Sequence, residues 1–171
     1  TRYRVAAFYY HYRIHDLIER YEDQRDFFYF RNRGRARMRG FELEAQADLG
    51  RGMTLELAHQ VTDGTALDDD TPLDDVSPVT VSVQLRKQFS TRAFAQVRTA
   101  FFADDNEPGP TERAVPGYTM LDVSGGYTVA QPLEVRLLAR NLLNQTYYAS
   151  QDTRAVLAAG RSFSVVANVR F

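Results

Sequence analysis

The stretch Arg161-Ser162-Phe163-Ser164-Val165-Val166-Ala167-Asn168-Val169-Arg170-Phe171 decides the fold class. Phe163, Val165, Ala167, Val169 and Phe171 share one parity, and Ser162, Ser164, Val166, Asn168 and Arg170 occupy the other, which is mostly polar. A period of two puts these sets on opposite faces of a β-strand, one greasy and one wet.

Working back from this segment, seven more of the same kind precede it, at about 2–19, 31–49, 53–62, 78–89, 92–103, 117–129 and 132–143. In the second, Phe41, Leu43, Ala45, Ala47 and Leu49 alternate with Glu42, Glu44, Gln46 and Asp48. In the seventh, Leu133, Val135 and Leu137 oppose Glu134 and Arg136. Gly125 and Gly126 fall inside the sixth, where glycine suggests a bulge or a bend. A helical turn at residues 17–21 is set aside because its flanks alternate, and residues 155–159 have the composition of a short helical turn inside a loop.

The connections are as informative as the strands. Short turns fall at 50–52, 90–91 and 130–131, and longer polar loops at 20–30, 63–77, 104–116 and 144–159. Long and short alternate along the whole chain. An antiparallel up-and-down transmembrane β-barrel has this signature, with short periplasmic turns and longer outside loops. A soluble β-sandwich also alternates, but its strands average five or six residues. Strands of roughly ten or more suit a tilted crossing of a membrane.

Composition is compatible with this reading. The 171 residues carry a formal net charge of -1, which gives no basic field for nucleic acid, and cysteine is absent, which removes disulfides and thiolate metal sites. The mean hydropathy of -0.42 is that of an ordinary soluble protein. A barrel strand shows lipid only every second residue, so a polar average does not exclude one. The chain opens on Thr1-Arg2-Tyr3-Arg4-Val5, in mid-strand and without a signal segment, and is expected to be part of a longer protein.

Four stretches resemble the TonB-dependent outer-membrane receptors, the bacterial importers of scarce metal complexes. Asn32, Gly34, Gly40, Phe41, Glu42 and Glu44 are similar to the family's Asn-x-Gly…Gly-hydrophobic-Glu-x-Glu strand. Pro116, Tyr118 and Asp122 resemble a strand start in which Pro and Tyr precede Asp. Asn141, Leu142, Asn144 and Tyr147 resemble its Asn-Leu-x-Asn-x-x-Tyr segment. Gly160 and Arg161 open a segment similar to the closing strand, with Ala159 where the family often has Pro. Phe163, Val165, Ala167, Val169 and Phe171 then resemble the signal read by the outer-membrane assembly machinery.

The resemblance implies a barrel of 22 strands with a plug. Residues 1–171 would be about its last eight strands, with the plug and the TonB-contacting segment upstream of Thr1. The implied function is energised uptake of a metal chelate, most often a ferric siderophore, across the outer membrane of a Gram-negative cell. The implied partners are outer-membrane lipid and lipopolysaccharide, the plug, the TonB complex and the chelate. Neither catalysis nor a cofactor is expected. Haem, cobalamin and copper stay open as cargo. A self-contained eight-stranded barrel with a structural or adhesive role is the alternative, since eight strands can close. A barrel lipid hydrolase ranks last, because no nucleophile motif frames a Ser beside His11 or His59.

Other residues admit two readings. Glu42 and Glu44 point to one side and would sit against a hydrated lumen or a plug rather than lipid. His11 and His15 share a parity, which suits either a metal or haem site or a polar rim. Asp68, Asp69, Asp70, Asp74 and Asp75 form an acidic loop without the spacing of an EF-hand. Tyr9, Tyr10, Tyr12 and Phe27, Phe28, Tyr29, Phe30 read as an interfacial girdle. Arg31, Arg33, Arg35, Arg37 and Arg39 form a same-parity stripe suited to lipopolysaccharide phosphates or an anionic chelate. They share a parity with Phe41, which requires either a bulge at Gly40 or an exit from the membrane there.

Overall fold

A computed structural model describes residues 2–24 and 27–169. The strands are β1 (Arg2–Ile14), β2 (Ile18–Gln24), β3 (Phe27–Asn32), β4 (Ala36–Gly50), β5 (Met53–Ala66), β6 (Thr71–Pro72), β7 (Thr80–Gln88), β8 (Ala93–Phe102), β9 (Tyr118–Ala130), β10 (Leu133–Arg140) and β11 (Ser162–Val169). All pairings are antiparallel. The main sheet runs β1-β4-β5-β7-β8-β9-β10-β11, with β6 attached to β5. It is an all-β up-and-down meander, and each of the eight segments expected from alternation supplies one strand of this path.

The register keeps the two faces separate over the full width. Tyr3, Ala47, Leu55, Leu85, Val97, Val123, Ala139 and Phe163 stand directly opposite one another in a row across all eight strands. One residue along, Arg4, Gln46, Glu56, Gln84, Arg98 and Asp122 form a row on the other face. Slipping any strand by one residue would exchange the rows, so each strand specifies its neighbour's register. Hydrogen bonds lace the polar row: Arg4 donates to Gln46 at 2.7 Å, and Gln84 to Glu56 at 2.8 Å. Gln96, on the same face, donates to Gln84 at 2.8 Å.

The apolar face is bare. Val5, Tyr9, Leu137, Phe163 and Val165 are all more than half exposed. Such a continuous apolar surface marks a membrane or a partner. The buried hydrophobic cluster is small and lies at one end of the sheet, where Ala36, Ala66 and Leu73 pack with Ile14, Leu17 and Val76. Most of the sheet's apolar side chains are thus not buried within the chain.

Several expectations are corrected. The loop expected at 20–30 is the hairpin β2–β3, a separate two-stranded sheet. Residues 155–159 form no helix. Neither Gly40 nor Gly125 and Gly126 carries a bulge, because the register runs through all three unbroken. Shifts occur instead at Asp48/Gly50 and Leu133/Glu134, beside the short turns. Gly40 and Gly126 make room for rings: an added Cβ would lie 2.3 Å from the Tyr10 hydroxyl and 2.4 Å from the Phe94 ring. Phe171 lies outside the described residues.

Candidate functional site

At the end of the sheet bearing the long loops, three of the four singled-out stretches meet. Tyr118, at the start of β9, lies between Phe102 and Tyr147, with ring centroids 4.4 Å and 4.1 Å away. Asp122, two pleat repeats further along the same face, accepts the Asn141 backbone N–H at 2.9 Å. Asn141 is 1% exposed and sits at φ 51, a left-handed conformation that Asn tolerates better than most residues. Its side chain accepts from the Gln145 N–H at 2.9 Å and donates to the Gln145 carbonyl at 2.9 Å. The Leu142 N–H donates to the Leu121 carbonyl at 2.8 Å. Asn144 accepts the Arg161 N–H at 3.0 Å, and a Cβ on Gly160 would press on that same Asn144 oxygen. These residues tie β9, β10 and the approach to β11 together. Pro116 is exposed at the head of β9.

The first stretch does similar work elsewhere. Asn32 donates to Asp16 at 2.9 Å and accepts the Gly34 N–H at 2.7 Å. Gly34 has φ 80 and lies against Asp68, so both its conformation and its neighbour demand the missing side chain. Glu42 and Glu44 stand on the polar face, and Phe41 on the apolar one.

Four loops, 15–35, 67–79, 103–117 and 141–161, interlock over the polar face. Arg33 is buried, pairs with Glu19 at 3.4 Å and Asp69 at 3.1 Å, and donates to Tyr21 and Thr71. Asp74 accepts both the N–H and the hydroxyl of Thr111 at 2.9 Å. Glu112 accepts the Asp75 N–H at 2.9 Å, and burial pushes its carboxyl up from the ordinary value. Gln151 accepts the Arg113 N–H at 3.0 Å and donates to Asp105. The hairpin β2–β3 closes the circuit: Arg20 donates to Asp152 at 2.9 Å and Thr111 at 3.3 Å. Arg20 and Arg154 both lie on the Phe28 ring, at 4.9 Å and 4.4 Å. The Arg154 N–H and the Arg20 guanidinium hold Asp152 below the usual carboxylate range.

Beneath this canopy the polar face forms a cavity of about 440 Å³, lined among others by Gln60, Thr80, Arg98, Tyr118, Tyr148 and Gln151. Its chemistry is one guanidinium and two carboxylates, Asp75 and Glu112, among phenols, amides and hydroxyls. None of Arg20, Thr111, Gln151 or Asp152 was singled out by sequence, because their partners lie up to 132 residues away and no local pattern marks them.

The remaining residues are placed as follows. Among the described residues no three His, Asp or Glu side chains converge on a possible metal position. Asp68 pairs with Arg35, and Asp69 with Arg33, so these acidic loop residues are committed to loop contacts. Tyr9 stands on the apolar face, but Tyr10 and Tyr12 stack on the polar face, where Tyr10 bonds Thr62 at 2.7 Å. The residues from Phe27 to Phe30 belong to the hairpin. With no bulge at Gly40, Arg37 and Arg39 share the face of Phe41, and the face changes from charged to apolar between Arg39 and Phe41.

Comparison with known proteins gives a consistent picture. The model for "TonB dependent receptor-like, beta-barrel" matches residues 1–142. No curated protein matches the sequence. The fold is similar to the copper transporter OprC, at 18% identity and a TM-score of 0.83, over 95% of this chain and 28% of that one. It is also similar to the closed form of the ferric-catecholate import receptor Fiu from E. coli K12, at 17% identity and a TM-score of 0.74, over 99% and 25%. A third likeness is the siderophore receptor PiuA from Acinetobacter baumannii, at 15% identity and a TM-score of 0.73, over 96% and 25%. The chain therefore spans about a quarter of the length of these structures.

Proposed function

From the premise that this chain belongs to the TonB-dependent receptor β-barrel family, we propose that it is the C-terminal sector of a plugged outer-membrane receptor importing a metal chelate, a ferric siderophore first. The observation that carries this is the two-faced sheet. An exposed apolar face spans all eight strands, and the opposite face is polar beneath a canopy of loops. In a bilayer the apolar face meets lipid and the polar face lines a hydrated lumen. The short turns then lie at the periplasmic side and the canopy outside.

The alternative of a self-contained eight-stranded barrel fits less well. Among the described residues β1 and β11 are not paired with each other, and both edges stay open. Open edges are sites of association, and further strands of a larger barrel would cover them. Glu42 and Glu44 would face the plug across the lumen. TonB, contacted through a segment upstream of Thr1, would supply the energy.

The similar structures include both copper and siderophore receptors. The cavity under the canopy supports a chelate, since Arg98, Tyr118, Tyr148 and Gln60 offer donors to an oxygen-rich periphery, with Asp75 and Glu112 also on its wall. A bare copper ion is better served by soft sulfur and imidazole donors. Binding and passage break no bond.

The test is uptake of radiolabelled ferric siderophores in cells that carry the full-length receptor as their sole one. The proposal expects energy-dependent iron accumulation that is lost when TonB is deleted. Copper uptake without iron uptake would redirect the cargo assignment. Uptake of neither would overturn the transport reading.

A further inference from the structure

Two of the canopy loops hold each other in a reciprocal clasp. From loop 67–79, Asp74 accepts both the N–H and the hydroxyl of Thr111 at 2.9 Å. From loop 103–117, Glu112 accepts the Asp75 N–H at 2.9 Å and the Gly109 N–H at 3.0 Å. Gly109 lies so close to Asp74 that an added Cβ would overlap it. Three carboxylates thus meet in one contact. Among the described residues none of the three is in an ion pair.

The surroundings leave Glu112 without a neutralising cation. Arg113, beside it in the chain, lies on the Tyr148 ring at 3.8 Å and donates to the Ala155 carbonyl at 2.8 Å. Arg20 on the hairpin and Arg154 on loop 141–161 are both drawn to Asp152, which stands opposite Glu112. Arg98 of β8 and the phenols of Tyr118 and Tyr148 share the cavity wall with Asp75 and Glu112. Burial, then the negative charges of Asp74 and Asp75, push the Glu112 carboxyl up against the pull of its two N–H donors. A proton on Glu112 ends the repulsion and leaves its carbonyl oxygen to accept an N–H.

We propose that Asp74, Asp75 and Glu112 form a proton-operated latch between loops 67–79 and 103–117, drawn tight over the cavity when Glu112 holds a proton and loosened when it ionises. The latch rests on the reading of this cavity as the cargo site, and it sets how readily cargo of any kind enters and leaves. The folded carboxyl keeps its proton above the ordinary 4.5. The latch's contribution is therefore complete below that value and is lost as pH rises through the raised one.

The test is hydrogen exchange of the full-length receptor in detergent, corrected for intrinsic rate, in peptides covering residues 67–79 and 103–117. Protection in both loops is expected to fall about tenfold between about pH 4.5 and about pH 7.5. E112Q carries no charge at position 112 and should give a flat profile at the acid level. D75N keeps the backbone N–H that Glu112 accepts and removes one repelling charge, so the fall should move to lower pH. Protection that is flat or rises with pH in the unmutated protein, or a fall that persists unchanged in E112Q, overturns the latch. The β2–β3 hairpin, held by Arg20 on Asp152, is the internal control. Its exchange should not follow the two loops over this range, and parallel movement would show a general loosening that overturns the latch. TonB-dependent iron uptake is measured on the same receptor. Absent uptake with the expected profile rejects the cargo reading and leaves the proton dependence standing; normal uptake with a flat profile rejects the latch alone.

Discussion

Asn141 shows how a short motif earns its place through geometry. Its buried amide satisfies the backbone of residue 145 and helps hold a left-handed turn at the top of β10. Replacing it with Ala leaves buried donors and acceptors unmatched, which costs about 1–3 kcal/mol for each such group. We expect N141A to lower the unfolding midpoint of the full receptor on a temperature series of unboiled gels. An unchanged midpoint would show that the turn holds without the amide. Gly40 makes the complementary point. The Tyr10 ring occupies the space a side chain would take, and the Val61 carbonyl lies 2.6 Å from an added Cβ. G40V should destabilise by about 1–3 kcal/mol through overpacking, read as a shift in the urea midpoint. Sequence marked both residues through resemblance, but it left a bulge at Gly40 open, and the unbroken register removes that alternative. A glycine that bends its own strand and one that shelters a neighbour's ring look the same along a single chain.

At the scale of elements, the eight wall strands were legible because alternation is a local signal that survives any tertiary context. The β2–β3 hairpin was not, since its residues are polar, aromatic and interrupted, and its role depends on Arg20 meeting Asp152 across the mouth. That pair is about one-third exposed on each side, so it contributes no more than about 1 kcal/mol. R20A should therefore leave global stability almost unchanged while hydrogen exchange in β2 and β3 rises; equal protection in the variant would show that the hairpin stands alone. Acid should act on the same contact. The folded carboxyl of Asp152 is held below its ordinary value by the Arg154 N–H and by Arg20. Its stabilising contribution is present above the unfolded value of about 3.9 and is lost as pH falls through the lower folded value. Hairpin exchange, corrected for intrinsic rate, should be flat from about pH 5 upward and increase only below about pH 4. A rise centred near neutrality would point to a histidine instead.

The whole molecule is a wall sector rather than a closed object. Among the described residues its apolar face is bare, its two edge strands are unpaired with one another, and its buried hydrophobic cluster is confined to one end. The alternation of long and short connections disclosed this architecture in the sequence. The closure of the canopy did not show there, because it is built from single polar contacts between loops far apart in the chain. Expressed by itself, the 171-residue chain is expected to associate through its edges and to transport nothing. The most direct measurement of the central claim is the mobility of the native protein in outer-membrane extracts, on gels run with and without boiling and probed with an antibody to this segment. The account predicts a heat-modifiable band roughly four times the 19.5 kDa of this chain, in keeping with the quarter-length share of the similar structures. A band near 19.5 kDa would contradict it and restore the small closed barrel.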